Sequence, residues 1–209
     1  MNKDAYKRVA GIYDRIFEPM NKGLRVLGFR MFLPPRGASI LDVGCGTGVY
    51  LEMYHKFECS LHGIDTSPAM LKVARERLGD DADLRNVDAS KIPHQDGFFD
   101  LVLSMLVLHE MEDVVRNAVL QEMKRVVKPD GRILLIDFHV GDTRPVKGWL
   151  FKIIILLSEI AAGRRHFRNY RNFASIGGLP TLIERAQLKV EKERVVGNGN
   201  MALYLLAPD

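Results

Sequence analysis

The chain has 209 residues, 47% of them hydrophobic, which is enough to bury one sizeable core and predicts a single domain. Its charged fraction of 27% is ordinary, and a formal charge of +4 is too small by itself to indicate a nucleic-acid partner. The two cysteines lack metal-ligand spacing, so we expect no disulfide framework and a cytoplasmic protein.

Apolar spacing and turn residues predict alternating helices and strands along most of the chain. In chain order the predicted elements are helix 3–33, strand 39–43, helix 49–57, strand 60–65, helix 68–78, strand 83–88, strand 99–105, helix 115–126, strand 132–138, helix 179–186, strand 190–196 and strand 201–206. Thr66-Ser67-Pro68 is typical of a helix start, and Gly79 is expected to end that helix. Such alternation implies an α/β fold with a mostly parallel sheet.

Three local patterns add detail to this sheet. Residues 133–136 form a continuously apolar strand, as expected where helices cover both faces of a sheet. Residues 128–131, Lys-Pro-Asp-Gly, predict a turn before that strand. Asn198-Gly199 is a hairpin signal between the last two strands, which we therefore expect to be antiparallel.

A glycine cluster at 44–48 follows the first strand and precedes a helix, where backbone can approach a ligand closely. Its glycines are at 44, 46 and 48, and Val49 stands where a dinucleotide fingerprint would have its third glycine. The loop therefore fits a nucleoside ligand without a pyrophosphate better than it fits NAD. Taken alone, it is equally compatible with a tight strand-to-helix turn.

Two aspartates stand at the carboxyl ends of predicted strands, the edge where open α/β sheets bind ligands. Asp65 ends the second strand, where a carboxylate can accept both hydroxyls of a ribose. Asp88 ends the third strand and is followed by Ala89, so that a carboxylate and a backbone N–H could read an adenine edge. Each aspartate alone is also compatible with a solvated strand end or a helix cap.

Five ordered segments resemble the motifs of class I S-adenosylmethionine-dependent methyltransferases. They are 40–48 (ILDVGCGTG), 63–71 (GIDTSPAML), 88–89 (DA), 99–102 (FDLV) and 127–132 (VKPDGR). Residues 9–15 (VAGIYDR) are similar to the ubiquinone/menaquinone C-methyltransferases and related lipid N-methyltransferases. We therefore expect a Rossmann-like, mostly parallel seven-stranded sheet with helices on both faces, an antiparallel C-terminal strand and an inserted helical cap.

The resemblance implies S-adenosylmethionine as methyl donor and S-adenosylhomocysteine as product. The cofactor contacts that it implies are Tyr13, Asp42, Gly44, Cys45, Gly46, Thr47, Gly48, Asp65, Thr66, Met70, Asp88, Ala89 and Ser104. In this arrangement Asp42 would lie beneath the methionine moiety, with Ser104 near its amino group. Met70 would pack near the adenine, with an ordinary core role as the alternative, and Tyr13 would close over the cofactor.

Methyl transfer from a sulfonium is an in-line displacement, so the protein mainly supplies proximity and alignment, and we expect no metal. A general base is needed only where the acceptor loses a proton as it attacks. The candidates His109, Asp137 and His139, together with Glu110, follow the fourth and fifth strands and should lie on the ligand edge. For His109, a role in shaping the pocket is the alternative to catalysis.

We divide the single domain into an N-terminal helical cover (1–35), a cofactor-binding core (36–140), a helical insert or cap (141–173) and a C-terminal helix with the last two strands (174–209). The insert carries seven basic and two acidic side chains, net +5. Its apolar run 149–157 would, as a helix, need burial in protein, in a dimer interface or in lipid. We expect it to line an apolar acceptor site, with peripheral membrane contact through 144–171 or a homodimer as alternatives.

The leading hypothesis is therefore methylation of a small, hydrophobic or lipid-like molecule. A protein or RNA methyltransferase and a non-catalytic cofactor-binding module are the alternatives. No nucleic-acid acceptor is expected, because Ser104-Met105-Leu106 replaces the Asn/Asp-Pro-Pro-aromatic motif of amino-directed nucleic-acid methyltransferases. No Pro-Cys dipeptide is present that would attack a pyrimidine ring.

Overall fold

The computed structural model describes residues 10–143 and 146–208, with side chains from residue 21 onward. The helices are α1 (Ala10–Met31), α2 (Val49–His55), α3 (Pro68–Leu78), α4 (Asp113–Val126), α5 (Lys147–Ala161), α6 (Arg164–Ser175) and α7 (Leu179–Arg185). The strands are β1 (Ser39–Val43), β2 (Ser60–Asp65), β3 (Ala82–Asn86), β4 (Phe99–Met105), β5 (Val127–Phe138), β6 (Leu188–Val196) and β7 (Met201–Pro208). Short 3₁₀ turns cover Gly79–Asp81, Leu108–Glu110 and Gly197–Gly199.

The strands form one seven-stranded sheet in the order β3-β2-β1-β4-β5-β7-β6. The first five strands are parallel, and β7 runs antiparallel to both of its neighbours. The mostly parallel sheet and the antiparallel C-terminal strand are therefore confirmed. Strand order reverses at β1, which pairs with β2 on one side and β4 on the other, and such a switch point opens a crevice at the carboxyl edge.

Local signals in the sequence account for the bounds of α3. The Ser67 hydroxyl accepts a hydrogen bond from the N–H of Met70 at 3.2 Å, and Pro68 occupies the first turn. Gly79, at φ 62°, ends the helix. Both ends agree with the prediction, because a cap residue, a proline and a glycine act on the backbone without help from distant parts of the chain.

The predicted turn at 128–131 lies inside β5 as a bulge. Pairing with β4 passes from Phe99 opposite Val127 to Leu101 opposite Arg132, so four residues of β5 face one of β4. Nζ of Lys128 donates a hydrogen bond to Oδ1 of Asp100, at 2.7 Å, across this bulge. The expected turn geometry is thus absorbed within a longer strand rather than placed before it.

Apolar residues alternate between the two faces of the sheet, and each face has its own core. Ile133 and Leu135 belong to the core beneath α4 and α7, whereas Leu134 and Ile136 belong to the core beneath α1, α2 and α3. This division explains why the strand is continuously apolar, as predicted.

Helices α5 and α6 connect β5 to α7, within the segment expected to form an insert. Helix α6 packs against the 3₁₀ turn Leu108–Glu110, while much of α5 faces solvent. Among the described residues, no helix combines the length and apolar character needed to cross a membrane.

Candidate active site

A cavity of about 370 Å³ lies at the carboxyl edge of the sheet, at the switch point beside β1. This volume is within the range of small-molecule sites. Nine of the cofactor contacts expected from the sequence line it: Asp42, Gly44, Cys45, Gly46, Thr47, Asp65, Thr66, Asp88 and Ala89. The topology therefore brings together side chains and backbone from three loops that are far apart in sequence.

The glycine loop approaches the cavity most closely at Gly46. A Cβ added to Gly46, at φ 52°, would meet no atom within 4 Å, so its backbone faces open space. At Gly44, by contrast, a Cβ would lie 2.5 Å from a methyl group of Val107. The first glycine thus permits close packing of the loop on the segment after β4, and the second permits a ligand to rest on backbone.

Two backbone amides orient the carboxylate of Asp65. Its Oδ2 accepts a hydrogen bond from Gly46 N–H at 2.9 Å, and its Oδ1 accepts one from Ser67 N–H at 2.7 Å. A carboxylate has about four acceptor sites, so an aspartate held in this way can also accept from paired hydroxyls. Because α3 begins at Pro68, the helix start itself fixes the position of this side chain at the cavity wall.

Asp42 lies at the cavity floor and is 3% exposed. Burial and, to a smaller extent, the nearby Asp65 carboxylate raise the pKa of its carboxyl to about 8, although the Arg25 guanidinium acts to lower it. Arg25 reaches the same cavity from α1. A cationic ligand group placed here would favour the ionised form of Asp42, so the floor is complementary to an ammonium or a sulfonium.

Comparison with known proteins identifies the family of the chain. The family model of a methyltransferase domain matches residues 41–135. The ubiquinone/menaquinone biosynthesis C-methyltransferase of Idiomarina loihiensis is 30% identical over 162 residues, which cover 72% of this chain and 62% of that protein. The protein of the same name from Burkholderia cenocepacia is 29% identical, with 95% of this chain and 91% of that protein covered.

A solved structure from Pyrococcus horikoshii shares the fold, with a TM-score of 0.75 and 22% identity over the whole of both chains. The chain belongs to the class I S-adenosylmethionine-dependent methyltransferases. The residues that line the cavity fit the donor of this family. Gly46 leaves room for it against backbone, Asp65 offers an oriented acceptor, and Asp42 offers an acidic floor.

Three of the residues expected at the methyltransferase donor site do not line the cavity. Gly48 instead permits helix packing, because a Cβ there would lie 2.9 Å from Leu78 of α3. Ser104 is buried, and its hydroxyl donates to the Val43 carbonyl at 3.0 Å. Met70 is 3% exposed, on the inner side of α3. The side chain of Tyr13 lies outside the described residues.

Asp88 and Ala89 line the cavity, although they follow β3 rather than ending it. The Asp88 carboxylate is exposed and accepts a hydrogen bond from Ser90 N–H at 2.9 Å, which fixes its direction. Ala89 is buried beside it. The carboxylate and backbone pair that the sequence predicted for an adenine edge is thus present at the cavity wall.

His109 and Asp137 form a buried pair that does not line the cavity. Nδ1 of His109 is 2.7 Å from Oδ1 of Asp137, and its backbone N–H donates to Oδ2 at 3.2 Å. Burial lowers the pKa of His109, but the Asp137 carboxylate and its hydrogen bond raise it more, to about 9. Neither side chain is among those that line the cavity, because α6 packs against the turn Leu108–Glu110, and their catalytic role stays a prediction.

His139 also lies away from the cavity. Its backbone N–H donates to the Asn200 carbonyl at 2.8 Å, which ties it to the segment before β7. Its Nδ1 is buried without a hydrogen-bond partner among the described residues. The C-terminal hairpin, which pairs with β5, thus fixes the backbone of His139.

Several cavity residues were missed by the sequence reasoning. Arg25 and Asn21 come from α1, Met111 and Glu112 from the turn before α4, and Arg165 from α6. Glu110, which the sequence placed on the ligand edge, does line the cavity. The missed residues belong to no motif, and only the packing of α1 and α6 on the sheet edge brings them to the site.

Proposed function

We propose that this chain transfers a methyl group from S-adenosylmethionine to a hydrophobic, lipid-like acceptor. The observation that carries the proposal is the composition of the one cavity described above. One wall is polar and built from the glycine loop, Asp42 and Asp65. Other lining side chains are apolar: Met105, Leu106, Val107, Met111 and Val115.

On this proposal the polar wall holds the donor. Asp65 accepts the ribose hydroxyls, Asp88 and Ala89 meet the adenine edge, and Thr47 with Asp42 faces the methionine moiety. S-adenosylmethionine, when bound, supplies an activated methyl group. The protein then contributes mainly by holding both reactants in line, which can lower the barrier by roughly 7–11 kcal/mol.

The catalytic part of the proposal assigns no proton transfer to His109, Asp137 or His139, which lie outside the cavity. We propose that His109 and Asp137 instead position the turn Leu108–Glu110. Glu110 is the carboxylate of that turn that lines the cavity. Where the acceptor must lose a proton, we assign the role of base to Glu110.

The exposed surface of α5 supports a lipid-borne acceptor. Its apolar side chains, 49–65% exposed, are Trp149, Leu150, Ile153, Ile154, Leu157 and Ile160. At helical spacing they share one side, and exposed arginines of α6 (Arg164, Arg165, Arg168 and Arg171) follow in sequence. An apolar face beside basic side chains favours an anionic membrane surface, where each basic residue contributes about 1 kcal/mol. The names of the two curated relatives, which refer to quinone biosynthesis, agree with such an acceptor.

Substitution of Asp65 tests the donor site. Asp65→Ala should weaken S-adenosylhomocysteine binding by roughly 1–3 kcal/mol, because ligand hydroxyls lose their acceptor. Titration calorimetry measures the affinity, and circular dichroism establishes that the variant is folded. Asp81→Ala, which removes an acid outside the cavity, should bind as the wild type does. Equal affinities for a folded Asp65→Ala variant and the wild type would contradict the ribose assignment.

Substitution of the α5 face tests the acceptor class. Wild-type protein given S-adenosylmethionine and anionic vesicles that contain a cellular lipid extract should release S-adenosylhomocysteine and sediment with the vesicles. Leu150→Ser combined with Leu157→Ser should weaken vesicle binding at least about tenfold, since each leucine contributes about 1.5 kcal/mol or more when buried. Val114→Ser, at an exposed apolar residue of α4, is the matched control. Absence of sedimentation at low salt contradicts the membrane contact, and turnover only with water-soluble extracts contradicts the lipid acceptor.

A further inference from the structure

A second cluster of ionisable side chains lies where the insert packs against the turn after β4. It takes no part in the proposed transfer. It consists of His109 from the turn after β4, Glu159 from α5 and His166 from α6. The ligand atoms of these three residues all lie within 4.8 Å of one another. Glu159 and His109 are buried and His166 is mostly buried.

We propose that His109, Glu159 and His166 bind a divalent transition-metal ion, of which Zn²⁺ is the reference case. Imidazole nitrogen and carboxylate oxygen are the donors that such ions prefer. The ion would have a structural role, because it would link α5 and α6 to the turn Leu108–Glu110. This site therefore goes beyond the proposed function, in which no metal acts on the methyl group.

The distances within the cluster are close to those of a coordination shell. Oε1 of Glu159 lies 3.7 Å from Nε2 of His109, and Oε2 lies 2.9 Å from Nε2 of His166. Ligand bonds of about 2.0–2.1 Å in a tetrahedron separate neighbouring ligand atoms by roughly 3.3 Å. The ligand atoms of the two histidines lie within 4.8 Å of each other, so metal binding would bring the imidazoles closer by at most about 1.5 Å.

The buried carboxylate of Glu159 is poorly satisfied by protein alone. The side chain is 5% exposed, and its Oε2 has no hydrogen-bond partner among the described residues. Oε2 instead forms an ion-pair contact of 2.9 Å with Nε2 of His166, while Oε1 faces Nε2 of His109. The two oxygens of this buried carboxylate thus face one imidazole each, an arrangement that suits a cation shared by all three side chains.

Asp137 supplies the outer contact that metal-bound histidines usually have. Its Oδ1 lies 2.7 Å from Nδ1 of His109, which directs Nε2 of the same ring towards Glu159. A carboxylate in this place selects the imidazole tautomer and orients the ring.

A second group of potential ligands, His62, Asp83 and His94, differs because its carboxylate is already paired with an arginine. The Arg85 guanidinium donates hydrogen bonds of 2.6–3.0 Å to both oxygens of Asp83. The guanidinium thus already provides the positive charge there. This group serves as the internal comparison for the proposed site.

Zinc titration of the chelator-treated full chain tests the proposal. Calorimetry should show one Zn²⁺ bound per chain, and Co²⁺ in its place should give the visible spectrum of a tetrahedral site. His166→Ala and Glu159→Gln should each lower the affinity at least about 100-fold, and Asp137→Asn should lower it about 10–100-fold. His94→Ala should leave it unchanged.

Glu159→Gln keeps the shape of the side chain, so it remains informative if His166→Ala fails to fold. Limited proteolysis provides a readout apart from methyl transfer, since Zn²⁺ should slow cleavage within α5 and α6 of the wild type only. Absence of binding at micromolar Zn²⁺ would overturn the proposal. Unchanged binding in Glu159→Gln, or loss of binding in His94→Ala, would overturn it as well.

Discussion

Replacing Arg116 by leucine should lower the free energy of unfolding by about 3–5 kcal/mol. The Arg116 side chain is fully buried, and burial lowers the pKa of its guanidinium. It donates to the Leu108 carbonyl at 2.9 Å and to the Met111 carbonyl at 2.7 Å. Leucine would leave both carbonyls without these donors in a buried setting, and each such loss costs about 1–3 kcal/mol.

Arg185→Leu is the matched control for this prediction. Both arginines contact Asp113, at 3.2 Å and 3.3 Å, but the Arg185 side chain is 43% exposed. An exposed ion pair contributes at most about 1 kcal/mol. Urea unfolding of the two variants and the wild type measures the difference. Similar losses for both variants would show that the two carbonyl contacts of Arg116 add little.

The position of Arg116 also explains how the fold shapes the site from a distance. Its guanidinium reaches Asn172 and the backbone of Asn169 on α6, and stacks 5.3 Å from the Phe173 ring. One side chain of α4 therefore joins α6 to the turn Leu108–Glu110. Since Glu110 and Met111 line the cavity, the packing of the insert sets the shape of one cavity wall.

The parts of the fold that could be predicted depend on local chemistry. The bounds of α3 follow from Ser67, Pro68 and Gly79, which act on neighbouring backbone groups. The alternation of β5 between two cores follows from its continuous apolar sequence. The glycine loop and Asp65 could be placed because strand ends meet at one edge of a parallel sheet, whatever the details of packing.

The parts that could not be predicted depend on contacts between distant elements. Ser104 lies next to the last residue of β4, yet its hydroxyl donates to the Val43 carbonyl of β1 rather than facing a ligand. Neither Glu159 nor His166 belongs to a motif in the sequence. Their approach to His109 depends on how α5 and α6 fold back onto the turn after β4, which no spacing in the sequence reveals.

Ionisation of Asp42 should lower the free energy of unfolding of the ligand-free protein as pH rises from about 4 to 9. The pKa of Asp42 is about 8 in the folded chain, above its ordinary value of 3.8. Between these values the folded protein keeps a proton that the unfolded chain releases. Stability that is fully present below the unfolded pKa is therefore lost as pH rises through the folded pKa.

Asp42→Asn should remove this pH dependence, because an amide does not titrate. The free energy of unfolding of the wild type, taken relative to the variant, should fall by roughly 5–6 kcal/mol between pH 4 and pH 9, since about four pKa units separate the folded and unfolded values and each corresponds to about 1.4 kcal/mol. Urea unfolding at several pH values measures the difference. The comparison uses the change with pH, because the buried amide can shift the stability of the variant by a constant amount.

Arg25→Met is the companion variant for this experiment. The Arg25 guanidinium lowers the pKa of Asp42, so its removal should move the loss of stability to higher pH. Curves for Asp42→Asn and the wild type that stay parallel from pH 4 to pH 9 would contradict the raised pKa. The cavity floor would then hold an ionised carboxylate even without a ligand, and a cationic group of the donor would meet a charge that is already present.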